Sequence, residues 1–160
     1  MDLKIKITTS QIEYKGKSIF DRAADELMIT ESFSDFNSGE EIVTPLYGKL
    51  SAKGEEITVE YDEDGEGMCG VHTQVKFNKS RPNELSIVRT GDIDTFMYFE
   101  EGKRHVCVYN TGIMPFEICI FSKTVENLLL ETGVLELVYL IEIKGACAQR
   151  TTFKMEIDTL

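Results

Sequence analysis

Short apolar runs separated by turn residues fill the chain from Glu84 to Ile157, and this pattern constrains the fold more than any other feature. The runs are Leu85–Arg89, Phe96–Phe99, Val106–Tyr109, Phe116–Phe121, Val134–Lys144 and Cys147–Ile157. A turn signal such as Thr-Gly, Glu-Gly or Lys-Gly bounds each run. Runs at this spacing predict an antiparallel meander, which must bury one face against a second sheet or close on itself.

Alternating apolar and polar residues predict further strands in the first half of the chain. The core-facing positions are Leu3, Ile5 and Ile7; Leu46 and Leu50; Ile57, Val59 and Tyr61; and Val71, Thr73, Val75 and Phe77. Residues 11–25 remain open between a loop and a short helix, residues 27–33 are predicted to be a strand, and residues 34–41 a loop. The pattern indicates an all-β protein of about eight to ten strands, which suits a small barrel.

Length and charge exclude several classes of protein. The 160 residues are most simply one domain, 1–160, in which residues 1–45 show the strand pattern least clearly. A net charge of −11 repels phosphate backbones, so nucleic-acid binding is not expected. The chain has no apolar run of membrane-spanning length, and its N-terminus lacks the apolar core of a signal peptide. We therefore expect a cytoplasmic protein that does not bind membranes.

The last two strands allow a prediction of their register. The apolar residues that share one face are Leu135, Leu137, Tyr139, Ile141 and Ile143 on one strand and Phe153, Met155 and Ile157 on the other. Directly opposed residues point to the same side of a sheet, so these faces match only if paired residue numbers sum to an even value. The turn between Lys144 and Cys147 is therefore predicted to be odd in length or to carry a β-bulge.

The hairpin centred near Ile113 holds two of the four cysteines. Its predicted apolar pairs are Val106 with Ile120 and Val108 with Ile118. That register sets Cys107 opposite Cys119 on the other face, within disulfide reach, although we expect cytoplasmic thiols to stay reduced. His105 would complete a zinc-binding trio there, but inert thiols and a surface histidine are the favoured interpretation, and no metal site is predicted.

A series of segments in the same order resembles a known family. The segments are Tyr61-Asp-Glu63, Thr73-Gln-Val75-Lys76, Arg89-Thr-Gly91, Met97-Tyr-Phe99-Glu100, Tyr109-Asn-Thr111, Gly133 with Leu135-Glu-Leu137-Val-Tyr139, and Phe153-Lys-Met155-Glu-Ile157. Together they extend over residues 46–157 and resemble the YwiB-like family of uncharacterised bacterial proteins. The resemblance implies a lipocalin-like (calycin) β-barrel. It implies no activity, because none of these segments is a catalytic signature.

Arg89 is the polar residue that the strand pattern singles out. It continues the face of Leu85 and Ile87, so its guanidinium is predicted to point into one end of the barrel. A buried guanidinium needs a partner, because an unpaired buried charge is very costly. In one interpretation Arg89 binds a carboxylate or phosphate of a small ligand. In the other it closes the barrel by contacting backbone carbonyls or a carboxylate such as Glu31 or Glu63.

Further polar side chains fall on faces assigned to the interior, namely those of Tyr61, Thr73, Tyr139 and Thr151. They either line a ligand pocket or satisfy one another's hydrogen bonds beside a packed core. Small barrels are known to do either. Together with Arg89 these residues form the candidate ligand-binding set.

The other chemistry-bearing segments favour structural roles. Residues 62–67 have the composition of a calcium loop, but with Glu60 as the first ligand the twelfth position is Val71, where a bidentate Glu is required. A solvated hairpin turn is predicted there instead. His72 and His105 are predicted on polar strand faces. Since the chain has neither a Gly-x-Ser-x-Gly motif nor a phosphate-binding glycine loop, we expect no catalytic residue and no cofactor.

The leading hypothesis is therefore non-catalytic binding of a small, partly apolar molecule inside the barrel, with Arg89 and inward tyrosines as polar anchors. A second hypothesis is a protein-interaction or homodimeric module that uses an outer face, for instance Val138 and Leu140 on the penultimate strand. An enzyme is the third hypothesis, and it would require His, Cys and carboxylate side chains in one cleft.

Overall fold

The computed structural model describes residues 1–13, 41–63, 70–110, 115–143 and 146–160, which form ten strands. The strands are β1 (Asp2–Glu13), β2 (Ile42–Lys53), β3 (Glu56–Asp62), β4 (Val71–Asn78), β5 (Arg81–Gly91), β6 (Asp94–Glu100), β7 (Arg104–Asn110), β8 (Pro115–Leu128), β9 (Val134–Ile143) and β10 (Ala146–Thr159). The predicted strand at residues 27–33 and most of the predicted acidic turn at 62–67 lie outside the described residues. Within the described ranges no helix is long and apolar enough to cross a membrane.

The ten strands form one closed antiparallel barrel. Each strand pairs with the next along the chain, and β1 pairs with both β2 and β10. Closure gives every described strand a partner on both sides, so none of them is an edge strand. The ladder between β6 and β7 is the shortest, with only Asp94–Asn110 and Thr95–Tyr109 paired. The predicted all-β meander is confirmed, at the upper end of the predicted strand number.

Strand alternation places the apolar side chains in the interior. The fully buried large side chains are Phe99, Leu3, Ile5, Ile57, Leu85, Ile87, Ile120, Leu135, Leu137, Met155, Val59 and Val71. Gly48 lies among them, where a Cβ would collide with the Glu60 carbonyl and lie 2.6 Å from Cδ1 of Ile5. The glycine that weakens the β2 pattern is therefore required by close packing.

The predicted register of β9 and β10 is confirmed. Ile143 pairs with Ala146, the register shifts at a bulge between Cys147 and Gln149, and Tyr139 then pairs with Thr151. Beyond the bulge, the numbers of paired residues sum to an even value, as predicted. The two apolar faces therefore share the core: Leu135, Leu137 and Tyr139 of β9, and Phe153 and Met155 of β10. Ile141 and Ile143 were also assigned to the core, and they are half-buried against it.

The predicted register of β7 and β8 is wrong by one residue. The observed pairs are Val106 with Cys119, Cys107 with Ile118, and Val108 with Glu117. A slip of one residue turns every side chain to the other face, so Cys107 is buried while Val106 and Val108 are exposed. The Val-Cys-Val sequence is apolar at every position, so periodicity could not choose its face. Since Cys107 and Cys119 now lie on opposite faces, the zinc-binding trio is not assembled.

Asn127 connects β8 to β5 where β8 extends beyond the short strand β7. Its Nδ2 donates to the Pro82 carbonyl at 2.8 Å, and its backbone N–H donates to Oδ1 of Asn83 at 3.0 Å. Its own Oδ1 accepts the N–H of Leu129 at 3.1 Å. Every polar group of this buried asparagine side chain is therefore satisfied.

Candidate functional site

A row of polar side chains crosses the inner face of four neighbouring strands. Tyr61 of β3 pairs with Thr73 of β4, Thr73 pairs with Arg89 of β5, and Arg89 pairs with Thr95 of β6. Because directly opposed residues share a face, all four side chains point into the barrel. Tyr61, Thr73 and Thr95 are buried. The row lies near the end of the barrel where β5 finishes, opposite the end that holds Asn127.

Arg89 forms an ion pair inside this end of the barrel. Its Nε lies 3.5 Å from Oε1 of Glu63, and the two side chains are only 19% and 14% exposed. The same carboxylate oxygen accepts a hydrogen bond from Thr73 Oγ1 at 2.7 Å. Of the two carboxylates predicted as partners, Glu63 is the one observed, whereas Glu31 lies outside the described residues. The ion pair offsets part of the cost of burying both charges.

Tyr139 and Thr151 bring the other side of the barrel into the same cluster. Burial raises the pKa of Tyr139, and the positive charge of Arg89 opposes this rise, which places the phenol within the field of the guanidinium. Its ring packs edge-on against Phe99, with ring centroids 4.9 Å apart. Thr151 pairs with Tyr139 in the ladder, and its hydroxyl accepts a hydrogen bond from Gln149 Nε2 at 3.1 Å. The structure thus gathers the five residues of the predicted set around one interior region.

Both tyrosines of this cluster stay protonated at neutral pH. Burial, followed by the negative charge of Glu63, raises the pKa of Tyr61 well above its ordinary value. Burial also raises the pKa of Tyr139. A neutral phenol can donate or accept a hydrogen bond but is a poor general base. The cluster is therefore suited to hydrogen bonding rather than to proton abstraction.

Two further inward hydroxyl groups in this region were not predicted from the sequence. Thr95 and Ser122 are buried, and neither hydroxyl oxygen has a hydrogen-bond partner in the described part of the chain. The Arg89 Nε also has no hydrogen-bond partner there, because its contact with Glu63 lacks hydrogen-bond geometry. Thr95 shares the face of Met97, so strand parity could have identified it. Ser122 shares the face of Ile118 and Ile120, and the bulge in β8 comes only after it, so parity could have identified this residue too.

The two histidines lie outside this interior cluster. His72 is on the outer face, where Nδ1 lies 2.8 Å from Oδ1 of Asp62 and Nε2 lies 3.3 Å from Oε2 of Glu60. These hydrogen bonds, first the one to Asp62, raise the pKa of His72. His105 was predicted on a polar face but is half-buried, with its ring edge-on to Tyr98 at 4.7 Å. Its ladder partner, Ile120, is fully buried, which explains the difference.

An open groove of about 500 Å³ lies beside His72 on the outer surface. Its lining includes Tyr47, Lys49, Glu60, Asp62, His72 and Leu160. His72 already bridges Glu60 and Asp62, so these polar groups satisfy one another. Among the described residues no group of three or more His, Cys, Asp or Glu side chains is placed to hold a metal ion.

A buried carboxylate on the outer face of the barrel was also not foreseen. Glu142 is buried, and its Oε1 lies 3.3 Å from Nε of Arg104. The Arg104 guanidinium lies over the ring of Phe121, with Cζ 4.5 Å from the centroid. Ion pairing and cation–π contact together fix the position of Arg104.

These features define a closed antiparallel β-barrel that carries an internal polar cluster at one end. The chain belongs to the family described as a domain of unknown function, DUF1934, which matches residues 28–157. It is similar to the crystal structure of the YwiB protein from Bacillus subtilis, with a TM-score of 0.65 and 16% sequence identity over 99% of this chain and 94% of that one. At this identity the likeness shows the fold alone. No curated protein matches the chain.

The family membership confirms the resemblance to YwiB-like proteins. The family match begins at residue 28, before residue 46, where the resemblance was expected to start. It ends at residue 157, the same C-terminal limit as the resemblance.

Proposed function

We propose that this protein binds a small, partly apolar molecule inside the barrel without transforming it. The observation that carries the proposal is that several inward polar atoms have no hydrogen-bond partner in the described residues. They include Arg89 Nε and Thr95 Oγ1, whose residues pair with each other, and Ser122 Oγ, whose residue pairs with Tyr139. Leaving a buried polar group unsatisfied costs about 1–3 kcal/mol. A ligand that supplies the missing partners removes that cost when it binds.

The surroundings indicate the chemical character of the ligand. The Arg89 Nε can only donate, whereas the hydroxyls of Thr95 and Ser122 can donate or accept. A ligand oxygen that accepts hydrogen bonds, such as that of a carboxylate, phosphate or carbonyl, matches this set. The rest of the ligand would lie among the apolar side chains of the interior, near Phe99 and Tyr139, whose rings pack edge-on against each other. The protonated tyrosines support binding rather than catalysis.

The test is native mass spectrometry of protein purified gently from its source cytoplasm, compared with the same sample after denaturation. We expect an additional mass of a few hundred daltons per chain that is lost on denaturation. Arg89→Ala should reduce the occupied fraction. Arg81→Ala is the matched control, because Arg81 begins the same strand but its side chain is 75% exposed and forms an ion pair with Glu84 at 3.8 Å.

Two results would contradict the proposal. One is a bare chain mass, or a clean multiple of it, in every gentle preparation. The other is an equal occupied fraction in Arg89→Ala and Arg81→Ala, which would mean that any bound molecule lies elsewhere.

A protein-interaction role is a second candidate function. The face expected from the sequence, Val138 and Leu140, is only half-buried in the described chain. Apolar side chains that are more exposed lie instead on β6 and β7, namely those of Phe96, Val106 and Val108.

A further inference from the structure

Arg89 and Glu63 bring one positive and one negative charge into the polar end of the barrel. Nε of Arg89 lies 3.5 Å from Oε1 of Glu63, and both side chains are largely shielded from solvent. The inward positions of the two strands that flank β5 carry no charge: Val71, Thr73, Val75 and Phe77 on β4, and Thr95, Met97 and Phe99 on β6. The ion pair therefore leaves this part of the interior wall neutral overall.

Glu63 is held in its inward position by contacts on both faces of the sheet. Its backbone N–H donates to the Val71 carbonyl at 2.9 Å, so pairing with β4 continues one residue past the end of β3. Its carboxylate accepts the Thr73 hydroxyl at 2.7 Å. On the outer face, Oδ1 of the preceding residue, Asp62, lies 2.8 Å from Nδ1 of His72. The Glu63 carboxylate is thus a fixed part of the inner wall.

An anionic ligand meets this fixed carboxylate at close range. The positive charge of Arg89 is already matched by Glu63, so a second carboxylate, or a phosphate, would give the interior a net negative charge. Like charges repel strongly where water is excluded, because the local dielectric constant is low. The net charge of the chain, −11, also repels anions before they reach the barrel.

An uncharged ligand finds hydrogen-bond donors in the same place without this repulsion. The Arg89 Nε and the Thr95 hydroxyl have no hydrogen-bond partner in the described residues, and the two residues are paired across β5 and β6. A carbonyl or sulfonyl oxygen has lone pairs for both donors and brings no net charge. The electrostatics of the site therefore distinguish between ligands that hydrogen bonding alone treats alike.

From this arrangement we propose that the barrel selects an uncharged molecule with a hydrogen-bond-accepting oxygen, and that Glu63 is the residue that excludes anions. This inference rests on the proposed function, because it names the class of molecule that would occupy the same interior. It narrows the acceptor from a carboxylate, phosphate or carbonyl to an uncharged group. Arg89 then acts as a hydrogen-bond donor to the ligand, while Glu63 balances its charge.

The first test determines the charge of the molecule that gentle purification retains. The protein is denatured at mildly alkaline pH, and the released molecule is partitioned between water and ethyl acetate and identified by accurate mass. We expect it in the organic phase both before and after acidification, because an uncharged molecule does not respond to this change. A carboxylate or phosphate would move toward the organic phase only when acid neutralises it.

The second test uses two fluorescent probes of nearly equal shape, dansylamide and dansylsulfonate. Both carry sulfonyl oxygens on an aromatic body, but the first is uncharged and the second is an anion. Each probe is titrated into protein refolded from denaturant, so that any bound molecule has been removed. The wild type should bind dansylamide at least about tenfold more tightly than dansylsulfonate.

Replacing Glu63 tests whether this residue sets the preference. Glu63→Gln keeps the shape of the side chain and removes its charge, so binding of dansylsulfonate should strengthen at least about tenfold while that of dansylamide changes little. Glu60→Gln is the matched control, because it removes the same charge from β3 on the outer face, where Oε2 lies 3.3 Å from Nε2 of His72. That variant should keep the preference of the wild type. Circular dichroism of each variant verifies folding, and the wild-type comparison requires no variant.

The outcomes separate this inference from the proposed function. A released molecule that is charged, or a wild type that binds both probes equally, overturns the inference and leaves ligand binding in place. Equal effects of Glu63→Gln and Glu60→Gln would remove the role of Glu63. If neither probe binds, the charge of the released molecule decides the inference. A wild type that releases no molecule and binds neither probe contradicts the proposed function itself.

Discussion

Thr73 and Thr95 flank Arg89 on its two neighbouring strands, and replacing each with valine tests the nature of the polar cluster. Both threonines are buried and both point inward. The Thr73 hydroxyl donates to Glu63 at 2.7 Å, whereas the Thr95 hydroxyl has no partner in the described residues. Valine keeps the shape of threonine and replaces the hydroxyl with a methyl group. The two substitutions are therefore predicted to change stability in opposite directions.

The expected magnitudes follow from the hydrogen bonds. Thr73→Val removes a bond to a carboxylate, worth about 1.5–3 kcal/mol, and Glu63 is too shielded to regain it fully from water. We expect a loss of about 2 kcal/mol. Thr95→Val removes an unsatisfied buried hydroxyl, which costs about 1–3 kcal/mol in the folded state. We expect the ligand-free protein to gain about 1 kcal/mol.

The measurement is urea unfolding followed by far-ultraviolet circular dichroism. It is made on protein refolded from denaturant, so that any bound molecule has been removed. With an m-value of about 1–3 kcal/mol per M, a change of 1 kcal/mol moves the urea midpoint by roughly 0.3–1 M, which is easily resolved. Equal m-values in the two variants would show that the unfolded state is unchanged.

The reasoning is refuted if Thr95→Val destabilises the refolded protein as much as Thr73→Val does. The Thr95 hydroxyl would then have a partner that is retained without any ligand, such as ordered water. If instead Thr95→Val stabilises refolded protein but destabilises gently purified protein, the missing partner belongs to a bound molecule. That pair of results would support the proposed function directly.

Three further predictions concern other parts of the barrel. Asn127→Leu should lower the free energy of unfolding by about 3 kcal/mol, measured by urea unfolding, because it leaves the Pro82 carbonyl unpaired. Gly48→Ala should lower the thermal midpoint by several degrees, because a Cβ there collides with the backbone of β3. The raised pKa of His72 stabilises the fold at pH values below about 6.5, and this contribution disappears as pH rises through the folded-state pKa. Since the ring is partly exposed, His72→Gln should remove less than about 1 kcal/mol at pH 5.5 and almost nothing at pH 8.5.

The sequence predicts those parts of the fold where apolar and polar residues alternate clearly. In β1 the apolar residues Leu3, Ile5 and Ile7 alternate with charged ones, so parity alone shows which side chains face the core. The bulge between β9 and β10 followed from matching two long apolar faces. The face of β7 could not be assigned, because valine and cysteine are both apolar and only the pairing with β8 decides between them.

The candidate site could be predicted only in part, and for a related reason. Parity places Arg89 and Tyr61 inside, but it says nothing about which hydroxyls obtain partners. The hydrogen bond of Thr73 depends on Glu63, which lies beyond the end of β3 and reaches back into the barrel. The burial of Glu142 depends on Arg104, a residue 38 positions away in the chain. Contacts of this kind depend on the assembled barrel rather than on local pattern.

The contrast between the two ends of the barrel supports a functional role for the unpaired polar atoms. At the β5 start, the fold buries Asn127 and satisfies its side-chain oxygen and nitrogen with backbone groups. At the other end, within the same described chain, Arg89 Nε and the Thr95 hydroxyl have no such partners. Valine would fit the place of Thr95 without this cost, so packing alone does not account for a threonine there. Unpaired polar groups in a preformed interior are what a ligand with matching polar atoms would complete.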